Sequence, residues 1–327
     1  MSVGVGTTRR TKILISFAIV YLVWGSTYLV TKIGVGHLPP FTFGAGRFVS
    51  GGLLLLLVAR VLAARRGAPF IPAVTATDWR HLVCVGFCAV FVANGSSVWS
   101  LQHLPSNLAA LLNISASLWI PLLGMFGARA QSVSPRVALG LVIGFGGTAL
   151  IAWPGGEAAQ AALAWPTLVV LLGCFTWSLG TIYQRTVTTS LDLMTFTALQ
   201  MLCGGLMLAV WMWISGEPAR WQWDIAGLAS LAYMTVMSSC IAYTAYAWLS
   251  VNVTPAQLST YGFVNPAIAL LLGSWVLDER LGSLQIAGTL IILGGTLLVN
   301  WPRPGRGEPT VDDAAVSSVK REAPPSA

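Results

Sequence analysis

The stretch Trp24-Gly25-Ser26-Thr27-Tyr28-Leu29-Val30-Thr31-Lys32 decides the fold, because its pattern returns later in the chain. Trp24 matches Trp177, Lys32 matches Arg185, and the pair Gly51-Gly52 matches Gly204-Gly205, each at an offset of 153 residues. A second echo closes each copy: Gly146-Gly147-Thr148-Ala149-Leu150-Ile151-Ala152-Trp153-Pro154 answers Gly294-Gly295-Thr296-Leu297-Leu298-Val299-Asn300-Trp301-Pro302, now 148 residues apart. The chain therefore reads as two copies of one unit, residues 12–154 and 163–302, between a tail at 1–11 and another at 303–327. A repeat of about 150 residues is too long for a solenoid unit and suits a duplicated membrane bundle.

Composition agrees. With 55% hydrophobic residues and 9% charged, the chain cannot cover a water-facing surface, and its mean hydropathy is +0.74. The net charge of +7 does not point to nucleic acid, because the basic residues are scattered singly between apolar runs. Cys84, Cys88, Cys174, Cys203 and Cys240 all sit inside apolar runs, odd in number and without ligand spacing, so neither a disulfide framework nor a metal site is expected. No cofactor is expected either. The basic N-terminus could be mistaken for a signal peptide, but the run from Ile13 to Ile33 is too long for one and carries the repeat motif.

Apolar runs long enough to cross a bilayer, about 20 residues each, fall at Lys12 to Ile33, Pro40 to Ala63, Trp79 to Leu101, Ser106 to Gly127 and Pro135 to Trp153. The second copy supplies Leu163 to Gln184, Leu193 to Ile214, Ile225 to Leu249, Pro255 to Leu277 and Ser283 to Trp301. The expected fold is thus an all-α polytopic membrane protein of ten transmembrane helices. Ser106 to Gly127 is diluted by Asn113, Ser115, Ser117 and Pro121. The tail after Pro302, rich in Pro, Ala, Ser and charge, reads as disordered.

Lys and Arg set the sidedness. With the N-terminus cytoplasmic, fourteen of them fall inside and only Lys32, Arg47, Arg220 and Arg280 outside. Both termini are then cytoplasmic. Five spans is an odd number, so the second copy is expected upside down relative to the first, the arrangement that lets two halves exchange conformations and alternate access.

These features resemble the EamA-type exporters of the drug/metabolite transporter superfamily. The likeness is carried by Trp24-Gly25-Ser26-Thr27 with Lys32, Leu38-Pro39-Pro40, Gly46-Arg47-Phe48, Asn94-Gly95, Thr254-Pro255-Ala256, Tyr261-x3-Asn265-Pro266, Leu272-Gly273 and Glu279-Arg280-Leu281. It spans Lys12 to Trp301. Two departures stand out: the fourth-helix Pro falls at Ser117, and the Gly-Glu before the fifth is replaced around Ala130-Gln131. The resemblance implies export of a small metabolite across the bacterial cytoplasmic membrane.

Asp and Glu stay at span ends, which lowers the expectation of proton coupling. A cavity without buried charge would suit neutral, zwitterionic or amphipathic solutes, and an amino-acid-like or drug-like substrate is expected. Candidate contacts are Trp24, Ser26 and Thr27 in the first span, Asn94 and Trp99 in the third, and Asn113 and Trp119 in the fourth. The second copy offers Trp177, Tyr183 and Gln184, then Tyr243, Tyr246 and Trp248, and finally Tyr261 and Asn265, which share a helical face. The plainer alternative makes the amides and hydroxyls helix glue and the aromatics at span ends an interfacial belt. Lys32 and its counterpart Arg185 could offer a cation to a substrate carboxylate at either mouth, or simply snorkel to the interface.

Gly140 and Gly144 form a G-x-x-x-G step, with contact inside the chain as the default and a homodimer left open. Two rival functions remain. A membrane enzyme acting on a lipid-like substrate would need an acidic or metal-binding constellation, and only Asp278-Glu279 is on offer. A receptor would need a folded domain outside the membrane, and the connectors are short.

Overall fold

The computed structural model describes residues 3–67, 69, 73–126, 134–152, 157–184, 186–222, 224–253, 261–280 and 282–300. Arg185, Ala130-Gln131, the run from Thr254 to Thr260 and the C-terminal tail lie outside them. Among the described residues the chain is helical, without strands.

In chain order the helices are α1 (Val3–His37), α2 (Pro40–Ala64), α3 (Ala76–Val85), α4 (Ala93–Ser100), α5 (Ser106–Asn113), α6 (Ala116–Leu123) and α7 (Pro135–Ala152). They continue with α8 (Glu157–Gln184), α9 (Leu193–Ile214), α10 (Ile225–Tyr233), α11 (Tyr243–Asn252), α12 (Tyr261–Val276) and α13 (Ser283–Asn300). Among the described residues six stretches are long and apolar enough to cross a membrane: Arg9–His37, Pro40–Ala64, Ala76–Ser100, Ala164–Gln184, Leu193–Ile214 and Ile225–Leu249. Shorter apolar helices cover Ser106–Ile120, Pro135–Leu150, Val264–Val276 and Ser283–Leu298.

Three local departures from regular helix were not read from the sequence. Between α5 and α6 the backbone tightens, with Ile114 and Ser115 N–H donating only three residues back, to Leu111 and Leu112 O; the Asn113 side chain takes up the Ala109 carbonyl at 2.9 Å. The other two are wide π-helical turns, Gly86–Val92 joining α3 to α4 and Met234–Ala242 joining α10 to α11. Such turns often mark functional positions.

The glycines of the repeat explain the packing. A Cβ on Gly52 would meet the Ala198 carbonyl at 3.0 Å, and one on Gly205 the Val49 nitrogen at 3.0 Å, so α2 and α9 touch through their equivalent Gly-Gly pairs. They run antiparallel: Arg60, late in α2, binds Asp192 at the start of α9, while Thr42, early in α2, meets Glu217 just past the end of α9. The same holds for α7 and α13, where a Cβ on Gly147 would strike Gly288 O at 2.7 Å and one on Gly295 would strike Gly140 O at 2.6 Å. The G-x-x-x-G step of α7 is thus used inside the chain. Around these pairs lie apolar clusters, one gathering Phe48, Val90, Met201 and Leu208, and a second Leu111, Leu112, Leu118 and Ile292.

Candidate functional site

The WGST stretch lies in α1 with Gly25 facing α12, where a Cβ would overlap Ile268 at 2.7 Å. That close approach brings Tyr261 of α12 onto Trp24, ring centroids 5.8 Å apart. Trp24 also stacks on Tyr246 at 4.8 Å and meets Tyr243 at 6.0 Å, both from α11. Tyr243 in turn reaches Trp177 of α8 at 6.5 Å, and Tyr246 closes on Tyr261 at 5.6 Å. Five of the expected residues therefore form one ring cluster drawn from α1, α8, α11 and α12. Aromatic edges and faces of this kind hold a flat or apolar body at low entropic cost and can also hold a cation.

The other candidates divide. Ser26, next in the chain to this cluster, shares a hydrogen bond with the Tyr233 hydroxyl at 2.7 Å, and Thr27 donates to the Trp24 carbonyl at 2.7 Å. Asn265, one turn beyond Tyr261, is 6% exposed, and its Oδ1 is buried without a partner. Asn94 Nδ2 donates to Ala89 O at 2.7 Å, five residues back, in the widened turn. Asn113 accepts from Cys174 Sγ at 3.6 Å. Tyr183 stands away from the rings and shares a hydrogen bond with His81 Nδ1 at 2.7 Å. Trp119 packs on Phe145 and Phe175, and Trp99 on His103. Lys32 Nζ donates to Leu101 O and Leu104 O, each at 2.8 Å, in the connector between α4 and α5.

Two carboxylates that sequence reasoning left at span ends take a structural part. Glu217 accepts from the Phe41 N–H at 3.1 Å, the Thr42 N–H at 2.6 Å and the Thr42 hydroxyl at 2.9 Å, so it caps α2. Glu279 does the same for α5, accepting from the Ser106 N–H at 2.6 Å, the Ser106 hydroxyl at 2.9 Å and the Asn107 N–H at 2.9 Å. A helix start offers unpaired N–H groups and positive potential, the natural seat for an anion. Each carboxylate follows a left-handed residue, Gly216 at φ 67° and Asp278 at φ 51°, which turns it onto the neighbouring helix. At the same end Asp224 caps α10 through Gly227 N–H at 2.7 Å and meets His37 Nδ1 at 2.5 Å. Gly227 first, then His37, holds the Asp224 carboxyl below the usual carboxylate range.

One expectation needs correction. The interior is not free of charge: Arg47, seven residues into α2, is only 8% exposed, its Nε donating to Ser239 and its Nη2 to Ser238, each at 3.0 Å. Composition hides a single charge of this kind. By the repeat offset its counterpart is Gln200: Arg47 stands four residues before Gly51 just as Gln200 stands four before Gly204. Gln200 is fully buried, donates Nε2 to the Tyr243 hydroxyl at 3.1 Å, and has an unpartnered Oε1. Elsewhere, a groove of about 470 Å³ lined by Phe87, Phe91, Leu206, Met207, Val210 and Trp211 is almost wholly apolar, so it offers nothing to orient a polar solute. Among the described residues no group of three or more His, Cys, Asp or Glu could hold a metal ion.

Known proteins give the arrangement a family. The chain is 28% identical over 303 residues to the inner membrane transporter YedA of Escherichia coli K12, covering 90% of this chain and 94% of that one. It is 24% identical to the transporter YvbV of Bacillus subtilis, over 89% and 92% of the two chains, and 25% identical to the protein PecM of Dickeya dadantii, over 85% and 88%. A solved crystal structure superposes with a TM-score of 0.62 at 20% identity, covering 89% of this chain and 98% of that one, which speaks for the fold. The model of the EamA-like transporter family matches twice, at residues 11–153 and 164–301. The chain therefore belongs to the EamA-like transporter family and is a multi-pass membrane protein.

Proposed function

We propose that the protein is a secondary transporter that exports a small amino-acid-like or drug-like metabolite across the bacterial cytoplasmic membrane by alternating access. In this reading ten helices span the bilayer as two inverted five-helix repeats with both termini cytoplasmic. The antiparallel packing of α2 on α9 and of α7 on α13 supports the inversion, since each pair joins equivalent positions of the two copies. The observation that carries the function is the ring cluster of Trp24, Trp177, Tyr243, Tyr246 and Tyr261, contributed by helices of both copies. A solute lodged there lies between parts that must move against one another.

The mouth that would open is the end where Glu217 and Glu279 sit. Both belong to second-copy connectors and both hold helix starts of the first copy, so parting the halves there means withdrawing both carboxylates. Hydrogen bonds to a charged group contribute about 1.5–3 kcal/mol each. The six together exceed the few kcal/mol that separate two populated states, so opening must replace most of them with water or other partners.

Efflux from proteoliposomes loaded with amino acids, nucleosides and cationic dyes tests the reading. Selective, saturable efflux of one class is expected; efflux of none of them would count against the transporter reading and move weight to the enzyme or receptor alternatives.

A further inference from the structure

Arg47 is a guanidinium in the interior of a membrane bundle, and among the described residues no carboxylate pairs with it. Its partners are the hydroxyls of Ser238 and Ser239 and the face of Phe48, 4.5 Å from the guanidinium carbon. Among the described residues the ion pairs are His37 with Asp224, Arg60 with Asp192 and Arg220 with Glu217, so none includes Arg47. Hydroxyls satisfy N–H groups but carry no opposite charge. A cation buried this way is costly unless an anion joins it, and an ionisable group inside a membrane protein is retained for a purpose.

The repeat says what that purpose is not. Arg47 and Gln200 are equivalent positions, each four residues before its Gly-Gly pair, on helices that pack antiparallel. Gln200 fills its place with a neutral amide and is fully buried. Helix packing at this level therefore needs no cation. Both positions also border Tyr243: Gln200 donates to its hydroxyl at 3.1 Å, and Phe48, whose face lies 4.5 Å from the Arg47 guanidinium carbon, packs in the same buried cluster as Tyr243 and Trp24. Tyr243 belongs to the ring cluster, so the charge sits beside that cluster. Gln200 Oε1 is itself buried without a partner.

We infer that Arg47 receives the solute's anion, and that the transported solute carries a single carboxylate. The carboxylate would neutralise Arg47, whose planar fork matches it, while the body of the solute lies among Trp24, Tyr246 and Tyr261. This rests on the transporter reading above and narrows it: plain monocarboxylates and zwitterions fit, cationic dyes and nucleosides do not.

The test uses the full-length protein in proteoliposomes, with labelled amino acids, benzoate, nucleosides, a cationic dye and a phosphomonoester, in wild type and in the Arg47→Gln and Arg47→Lys variants. Gln occupies the equivalent position, so Arg47→Gln keeps a side chain this packing accepts. The wild type should move carboxylate-bearing solutes only. Arg47→Gln should raise KM at least tenfold, and Arg47→Lys should recover part of the loss. A second measurement needs no variant: the wild type's transport should be inhibited at least tenfold more strongly by a carboxylic acid than by its neutral amide. Transport of nucleosides, dye or phosphomonoester in preference to carboxylates, or equal inhibition by acid and amide, would overturn the inference and leave the transporter reading standing. If no solute moves, the transporter reading falls and the inference with it.

Discussion

Glu279 and Ser106 are 173 residues apart in sequence and bound at both ends of one contact: the Ser106 N–H donates to Oε1 at 2.6 Å and the Ser106 hydroxyl to Oε2 at 2.9 Å. Gly273 makes room for it, since a Cβ there would sit 2.7 Å from Glu279 Oε2. The contact ties the connector after α12 to the first turn of α5. Glu279→Gln removes the charge and leaves one oxygen to accept. The expected loss is about 1–3 kcal/mol, seen as faster amide hydrogen exchange at Ser106 and Asn107 with α7 unchanged; unaltered exchange there would show that the carboxylate does not hold the helix start.

Adjacent glycines in α13 should respond in opposite ways. A Cβ on Gly295 would lie 2.5 Å from the Gly144 nitrogen, against backbone that cannot yield, whereas one on Gly294 meets nothing within 4 Å. Gly295→Ala should cost about 1–3 kcal/mol through forced separation of α7 and α13. Gly294→Ala should be neutral or gain up to about 1 kcal/mol from helix propensity. Thermal unfolding of the two variants in the same detergent checks the difference.

Lys32 gives a sharper distinction. Its ammonium is held by Leu101 O and Leu104 O, so Lys32→Gln should lower thermal stability while leaving KM for the solute near the wild-type value. A large rise in KM at unchanged stability would instead return Lys32 to the substrate site.

The Asp224 carboxyl, held low by the Gly227 N–H and by His37, stabilises the start of α10. A depressed carboxylate contributes above its unfolded value of about 3.9 and loses that contribution as pH falls through the lower folded value. Wild type should therefore melt higher than Asp224→Asn at pH 7, with the gap closing as pH falls below about 4. A gap that persists into acid would mean the charge is not what stabilises this turn.

Much of the fold was legible because a bilayer imposes one strong rule on sequence, long apolar runs, and duplication wrote that rule twice. Leu193–Ile214 coincides with its expected bounds, and Pro40–Ala64 differs by one residue. The ring cluster was legible in part, since Trp24 and Trp177 are related by the repeat and Tyr261 shares a face with Asn265. The π-helical turns were not, because Gly86–Val92 and Met234–Ala242 carry no residue that forces the extra widening. Nor were the two carboxylate caps, whose partners are backbone N–H groups over 170 residues away that no side-chain pattern announces. Arg47 was seen as an exception to the charge rule and read as lying outside; only its depth in the packed bundle shows it buried.

Solute counterflow tests the central claim most directly. Proteoliposomes preloaded with a high concentration of an unlabelled solute are placed in a trace of the same labelled solute, and internal label is followed over time. An alternating-access carrier with its site at the ring cluster predicts a transient overshoot of label above equilibrium, abolished or at least tenfold reduced in Trp24→Ala, which loses its contacts to Tyr243, Tyr246 and Tyr261. Simple equilibration without overshoot, or an overshoot indifferent to Trp24→Ala, would contradict the account.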